Sequence, residues 1–449
     1  MKIDFLICYE FWQRELYGVT QLRIQLEGMG YHVKVLRIHP KIYHCLEEYL
    51  YEPKVVVYPW VYSNVELKRA RSFLGDCQKI VNMQCEQLLR RRVLENGFFK
   101  IREGALQAFH VSWGEKTYNR FIGYGIAKDH IWNIGNINLE INERRYDACF
   151  KSRKELADEY KLDIDKQWFL FCSNFKLVNT PLRELFNLEK RSANILMLAA
   201  SMRESRAVIL KWMAEYVAHH QDIEIIYRPH PLERKDSEME YLQGKYENFN
   251  YIPDLTVNHW VRVCDKCATW KSTAIMDAIY IGIPAAFLMP MGEPELLKGD
   301  IDHVCVDIVN YQEFETFLKC KENVDYGQPD KNIESLCTME TESIERLSEK
   351  LDELYKSADE HRFSQDMSEH VRWTRQERRI KINLIRYWMS KYFYSRYIGF
   401  FDDPLCKELY EDTKREKDIY KNMLKARKGK VHELFIREEK NIYYCGRLR

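Results

Sequence analysis

Three features of the 449-residue sequence predict an α/β chain of two doubly wound parallel sheets, Rossmann-type domains facing a cleft, followed by a helical extension. Short apolar runs of strand length alternate with helical patterns from residue 3 to near residue 325. A polar stretch, 138–154, lacks apolar periodicity and is expected to link two such series. From residue 341 onwards the pattern is helical and more charged. The expected units are 1–140, 155–330 and 340–449.

In the first unit, residues 3–9 read as a strand, and 14–29 has helical spacing closed by Gly28 and Gly30. Strands follow at 33–36, 54–58, 79–83 and 108–113, with helices expected at 42–50, 63–74, 86–95 and 118–125 and an exit through 131–137. In the second, 168–172 is a strand running into Ser173-Asn174, and 203–219 a helix. Two strand–loop–helix units then occupy 222–288, with a strand at 249–252 between them. A strand at 304–306 and a helix near 311–320 complete that unit.

Composition narrows the function classes. Apolar residues make up 46% and charged residues 31%, ordinary for a globular protein. The net charge of +1 provides no global field for nucleic acid, so anion binding must be local, and no nucleic-acid partner is expected. No signal peptide is recognisable and no run of 18 apolar residues exists, which suits a cytoplasmic protein. Thirteen cysteines lie without paired spacing; Cys264-x-x-Cys267 stands alone and reads as buried strand cysteine rather than zinc ligand. Asp163-Ile-Asp165 reads as a turn before a strand, so no metal site is expected.

Residues 222–288 carry the chemistry. The run Ile223 to Tyr227 ends in Arg228-Pro-His230-Pro, where two prolines stiffen a loop bearing a guanidinium fork and an imidazole. The second unit, Cys264 to Leu288, passes through Ser272-Thr273, read as N-cap residues of a helix that stops at Gly282. Free N–H groups and two hydroxyls there would form an anion site. Asp277, one turn on, is placed to accept ribose hydroxyls.

The Arg-Pro-His-Pro loop, followed by Thr269-x-x-Ser272-Thr273-Ala274-x-x-Asp277-Ala278 and Gly282-x-Pro284, resembles the donor half of GT-B glycosyltransferases of bacterial surface-carbohydrate and capsule biosynthesis. More distantly it is similar to teichoic-acid glycerophosphotransferases and sugar-nucleotide 2-epimerases. Trp270 and Asp277 depart from the pattern, which often has a small residue and Glu at these positions. The resemblance implies a metal-independent transferase without cofactor, moving a sugar from a nucleotide-sugar to a glycan or lipid-linked glycan acceptor. It implies that Arg228, His230, Ser272, Thr273 and the turn Ser173-Asn174 meet the donor.

The base should come from the facing sheet. Glu15 and Glu86 both follow strands there, and both positions resemble acidic positions of the surface-carbohydrate group; either can serve. Arg14 would orient Glu15 or bind an acidic acceptor, while Arg90-Arg91-Arg92 reads as a solvated face, with an acidic glycan partner as the alternative. In 371–398 basic and aromatic residues alternate; the favoured reading is docking on the first domain, and the alternative is peripheral contact with the inner membrane face. Rival functions are a CDP-polyol phosphotransferase, an epimerase and an inactive scaffold whose Trp270 blocks the phosphate loop.

Overall fold

The computed structural model describes residues 2–38, 51–67, 79–190, 194–233, 235–320, 332–339, 342–357 and 404–426. The expected helix 42–50, the later part of 63–74 and the basic–aromatic stretch 371–398 lie outside the described residues.

Two six-stranded sheets form the frame. The first has the order β2-β1-β3-β4-β5-β6, from β1 (Lys2–Tyr9), β2 (Val33–Arg37), β3 (Glu52–Tyr58), β4 (Lys79–Asn82), β5 (Phe109–Ser112) and β6 (Ile131–Asn133). The second has the order β12-β11-β10-β7-β8-β9, from β7 (Gln167–Cys172), β8 (Ile223–Arg228), β9 (Phe249–Tyr251), β10 (Lys266–Thr269), β11 (Ala285–Leu288) and β12 (Val306–Ile308). All pairs are parallel, as in Ile7 facing Val35 on one side and Val57 on the other.

Strand alternation explains why both faces are covered. Phe5, Ile7 and Tyr9 enter one core of the first sheet, while Leu6 and Cys8 enter the other. In β7, Phe169 and Phe171 point to one layer and Trp168, Leu170 and Cys172 to the opposite one. Each fully buried Phe, Ile or Leu contributes roughly 1.5–3 kcal/mol, and such continuous apolar strands suit a sheet sandwiched by helices.

The helix α1 (Trp12–Gly28) packs on the first sheet through Leu16, Val19, Leu22 and Leu26. The same core takes Ile344, Leu347 and Leu351 of α4 (Ser343–Lys356), and Ile419, Tyr420 and Met423 of α5 (Pro404–Ala426). The C-terminal part of the chain therefore returns to the N-terminal sheet. Tyr9 donates to Glu416 at 2.7 Å, Arg37 pairs with Asp412, and Arg415 lies over the Trp12 ring. The helix expected over 203–219 begins earlier, as α2 (Ile195–His219), and that over 86–95 shrinks to Arg91–Glu95.

The stretch expected to be a polar linker is folded and buried. It forms the helical turn Ile137–Glu140 and the 3-10 helix Arg144–Cys149, and buries Leu139, Ile141, Asn142, Tyr146 and Phe150. Its apolar residues are too few for a helical period, because they fill a seam between domains rather than one face of a helix. Arg262 binds it from the second domain, donating to the carbonyls of Ile141 and Glu143 and pairing with Asp147. Its guanidinium lies 4.3 Å from the Phe150 ring centroid. Tyr17 stacks on Phe150 and bonds His259 at 3.3 Å.

A second seam joins 88–91 to 298–302. Leu89 and Asp300 exchange two hydrogen bonds, 2.8 and 2.9 Å, and Arg90 and Gly299 form an antiparallel bridge. Lys116 at 2.7 Å and Arg120 at 3.5 Å neutralise the buried Asp300 carboxylate.

Candidate active site

The carboxyl ends of β1 and β4 bring three charged side chains together. Arg14 donates to Glu86 and lies 3.5 Å from Glu15, so one guanidinium joins the two glutamates expected as alternative bases. Glu15 is 2% exposed and accepts the Glu10 backbone N–H at 2.7 Å. Burial lifts its carboxyl to about 7, against the attraction of Arg14 and the hydrogen bond from Glu10. The Glu86 side chain is 38% exposed, so of the two it is the one open to a ligand.

Opposite, β8 ends at Arg228 and delivers the Arg-Pro-His-Pro loop. Arg228 is buried, and its Nη2 donates to the Leu255 carbonyl at 3.0 Å. Burial also lowers its pKa, with Cys172 and Asp277 opposing. His230 accepts the Leu232 backbone N–H at Nδ1, 3.1 Å away. Its pKa falls to about 4, chiefly through burial and then through Lys176, Arg14 and Arg228. Contacts of Tyr17 with His259 and of Leu89 with Asp300 hold the two domains against each other.

Beneath the loop lies Glu233, which sequence reasoning missed. It accepts the Ser173 hydroxyl, the Tyr227 hydroxyl at 2.6 Å and the His230 backbone N–H at 3.4 Å, with Arg206 3.7 Å away. Ser173 is thus engaged inward, and Asn174 donates to the Lys271 carbonyl at 3.2 Å. Both brace the loops in the structure. A lone acid two residues past the second proline carries no spacing signal, so nothing in the sequence marked Glu233.

Ser272 and Thr273 do not cap a helix as expected. The helix α3 (Ile275–Ile281) starts later, with Ala274 at the N-cap and no side-chain cap bond. The Ser272 hydroxyl accepts the Ala274 N–H at 3.3 Å, and Thr273 is exposed. The cause is Lys271, whose φ of +46° turns the chain before helix can begin. Its ammonium is fully buried, 3.1 Å from Glu293 and 3.3 Å from the Asp302 carbonyl. Trp270 is also fully buried, packed on Phe175 at 5.2 Å, and so does not block the loop.

Asp277 lies on the seam. Its Oδ1 accepts from Asn142 at 2.8 Å and Asn258 at 3.1 Å, and burial raises its carboxyl to about 6. The three-arginine run also differs from a solvated face: Arg91 is 60% exposed, but Arg90 is half-buried, and burial lowers its pKa. Lys176, two residues past Asn174, is likewise half-buried at the cleft. Asp163 forms a turn by accepting the Asp165 N–H at 3.0 Å, and Cys264 and Cys267 are buried. Among the described residues no group of three or more His, Cys, Asp or Glu is arranged to hold a metal ion.

No family model and no curated protein sequence matches the chain. Solved structures do. A Listeria monocytogenes protein assigned as a UDP-N-acetylglucosamine 2-epimerase aligns at 13% identity and TM-score 0.51, covering 80% of this chain and 98% of its own. The Neisseria meningitidis UDP-GlcNAc 2-epimerase bound to UDP-GlcNAc aligns at 11% identity and TM-score 0.50, over 79% and 100%. The wall teichoic acid polymerase TagF aligns at 13% and TM-score 0.50, over 79% and 89%. The chain has the GT-B fold.

In this GT-B frame the cleft lies between the carboxyl ends of two sheets, where open α/β sheets bind ligands. Arg14, Glu15 and Glu86 come from one side and Arg228, His230 and Lys176 from the other. Among the described residues no helix is long and apolar enough to cross a membrane.

Proposed function

We propose that the protein is a glycosyltransferase that uses a nucleotide-activated sugar and a surface-glycan acceptor. The observation carrying this reading is the Arg14-linked glutamate pair at one wall of the cleft, facing the Arg228–His230 loop at the other. A direct displacement needs a base for the acceptor hydroxyl and positive charge for the departing phosphate, and the two walls offer one each.

Glu86 is the better placed base, because its carboxylate is open to the cleft. Glu15 is enclosed and acts as the anchor of Arg14. His230 offers one N–H to a phosphate oxygen, and Thr273, exposed after β10, offers a hydroxyl. Ser173 and Asn174 act by holding these loops, Ser272 by shaping the turn, and Asp277 by orienting the nucleotide from the seam. Capsule, O-antigen or cell-wall glycan is the acceptor class, at the cytoplasmic face of the membrane.

The test is a thermal-shift panel of CMP, CDP, UDP, GDP and their sugar conjugates, followed by assay of the stabilising donor with and without glycan acceptor. A ligand bound only by the folded state raises the melting temperature. Stabilisation by one nucleotide family with acceptor-dependent release supports the reading. Acceptor-independent interconversion of the donor would make the protein an epimerase, turnover of a CDP-polyol a phosphotransferase, and a flat panel a scaffold.

A further inference from the structure

Gln84 combines two unfavourable features that the fold does not offset. Its backbone φ is +41°, in the left-handed region, and the residue is 0% exposed. Both amide atoms, Nε2 and Oε1, are enclosed and have no hydrogen-bond partner among the described residues. Of the described non-glycine residues with such a φ, only Gln84 and Lys271 are buried, and Lys271 gains an ion pair with Glu293. The Gln84 side chain gains nothing comparable.

The neighbouring amides show what a structural role looks like here. Asn82, at the end of β4, accepts the backbone N–H groups of Val61 and Gln84, each at 3.1 Å. It donates to the Val61 carbonyl and to Nδ1 of His110, again at 3.1 Å. Gln87 donates to the carbonyls of Met83 and Val111, at 3.2 and 2.8 Å, and accepts the Trp113 N–H at 2.9 Å. Met83 and Cys85 donate their backbone N–H groups to the carbonyls of Tyr58 and Pro59, at 2.9 and 3.0 Å. The turn is thus fixed on both sides of Gln84, which is how a strained residue is held in place.

Glycine would adopt this φ without steric cost, and an apolar side chain would avoid enclosing an unpaired amide. Glutamine therefore serves neither the turn nor the core. What it supplies is one acceptor and two donors, two residues before Glu86, where the carboxyl end of β4 borders the cleft. We infer that Gln84 is a specificity-determining residue whose amide pairs with an uncharged polar group of the acceptor sugar, a hydroxyl pair or an acetamido arm, entering beside Glu86. Enclosed groups of this kind discriminate strongly, because an analogue without the matching hydrogen bonds leaves them unpaired. The inference deepens the function proposed above and rests on that reading for the ligand's being the acceptor.

Saturation-transfer NMR on the full chain tests this with the methyl glycosides of N-acetylglucosamine, N-acetylgalactosamine, glucose and galactose. Wild type is expected to bind at least one of them. Gln84→Met removes the amide while keeping the length of the side chain, and Gln84→Gly also relieves the φ. Each should weaken that glycoside at least tenfold. Their melting temperatures should equal or exceed that of wild type, which separates lost recognition from lost folding. Gln84→Asn keeps an amide at a φ that asparagine tolerates, and should recover part of the affinity. Undiminished glycoside binding in Gln84→Met, or a wild type that binds none of the four, overturns the inference. A lower melting temperature in both variants also overturns it, since the amide would then be bound within the fold.

Calorimetry with UDP, CDP and GDP on the same samples separates this inference from the function it rests on. A glycoside whose binding depends on Gln84, with no nucleotide bound, keeps the sugar contact and removes the transferase. A bound nucleotide, with acceptor-dependent turnover that Gln84→Met leaves unchanged, keeps the transferase and removes the sugar contact.

Discussion

Leu232 donates its backbone N–H to Nδ1 of His230 at 3.1 Å, across a loop held between Pro229 and Pro231. With Nδ1 occupied as an acceptor, a neutral imidazole carries its proton on Nε2. His230 can therefore give a ligand one hydrogen bond and take none through that nitrogen. Because burial holds its pKa near 4, it stays neutral at physiological pH. Its stability contribution is fully present above its ordinary 6.5 and is lost as pH falls from there towards 4. Urea unfolding of wild type and His230→Gln should show wild type losing relative stability through that window. Parallel curves would mean that water reaches the ring.

Glu15 has the opposite sign. Its folded pKa is raised from 4.5 to about 7, so the folded protein binds the proton more tightly than the unfolded chain does. The stability this gives is complete below 4.5 and is lost as pH rises through 7, a difference of roughly 3 kcal/mol. Glu15→Gln removes the dependence. Denaturation midpoints at pH 4.5 and pH 8.5 should move in favour of the variant as pH rises, and a constant gap would show that Glu15 is ionised throughout.

Glu86→Gln should lower transfer by roughly 10²-fold or more while sparing donor affinity, as expected for loss of a base. Separate measurement of kcat and of nucleotide Kd checks this. Full turnover in the variant would return the role to Glu15.

Gly299→Ala tests the seam that positions Arg90. A Cβ there would lie 2.4 Å from the Leu89 carbonyl oxygen and 2.5 Å from the Arg90 Cα, both backbone atoms unable to swing aside. Overpacking of this kind costs about 1–3 kcal/mol. A lowered melting temperature with faster proteolysis between the domains is the expected result, and wild-type stability would show that the seam opens freely.

Much of the frame was legible from residues alone because parallel strands leave an unambiguous signal. The Val55–Tyr58 run and the Trp168–Cys172 run are apolar on both faces and too short for helices. The Arg228-Pro-His230-Pro loop stood out through its prolines. Glu15 and Glu86 were visible as acids after strands, but not their shared tie to Arg14, since pairs 72 residues apart leave no local mark. Arg90 was misread for a related reason. Its neighbours Arg91 and Arg92 share its chemistry, and only the bridge to Gly299 distinguishes it. Ser272 and Thr273 had the composition of a cap, but Lys271 takes a positive φ and the helix starts beyond them, at Ile275.

The return of α5 to the first sheet has a consequence for how the chain folds as it is made. Tyr9, Arg37 and Trp12 meet Glu416, Asp412 and Arg415 only when residues 412–423 have emerged. At 5–20 residues per second, that is roughly 15–60 s after β6 is synthesised. The second sheet, finished by Val306–Ile308, acquires its strands well before then. The half of the molecule made first is thus completed last. During that interval its uncovered apolar face is the part of the nascent protein most in need of a chaperone.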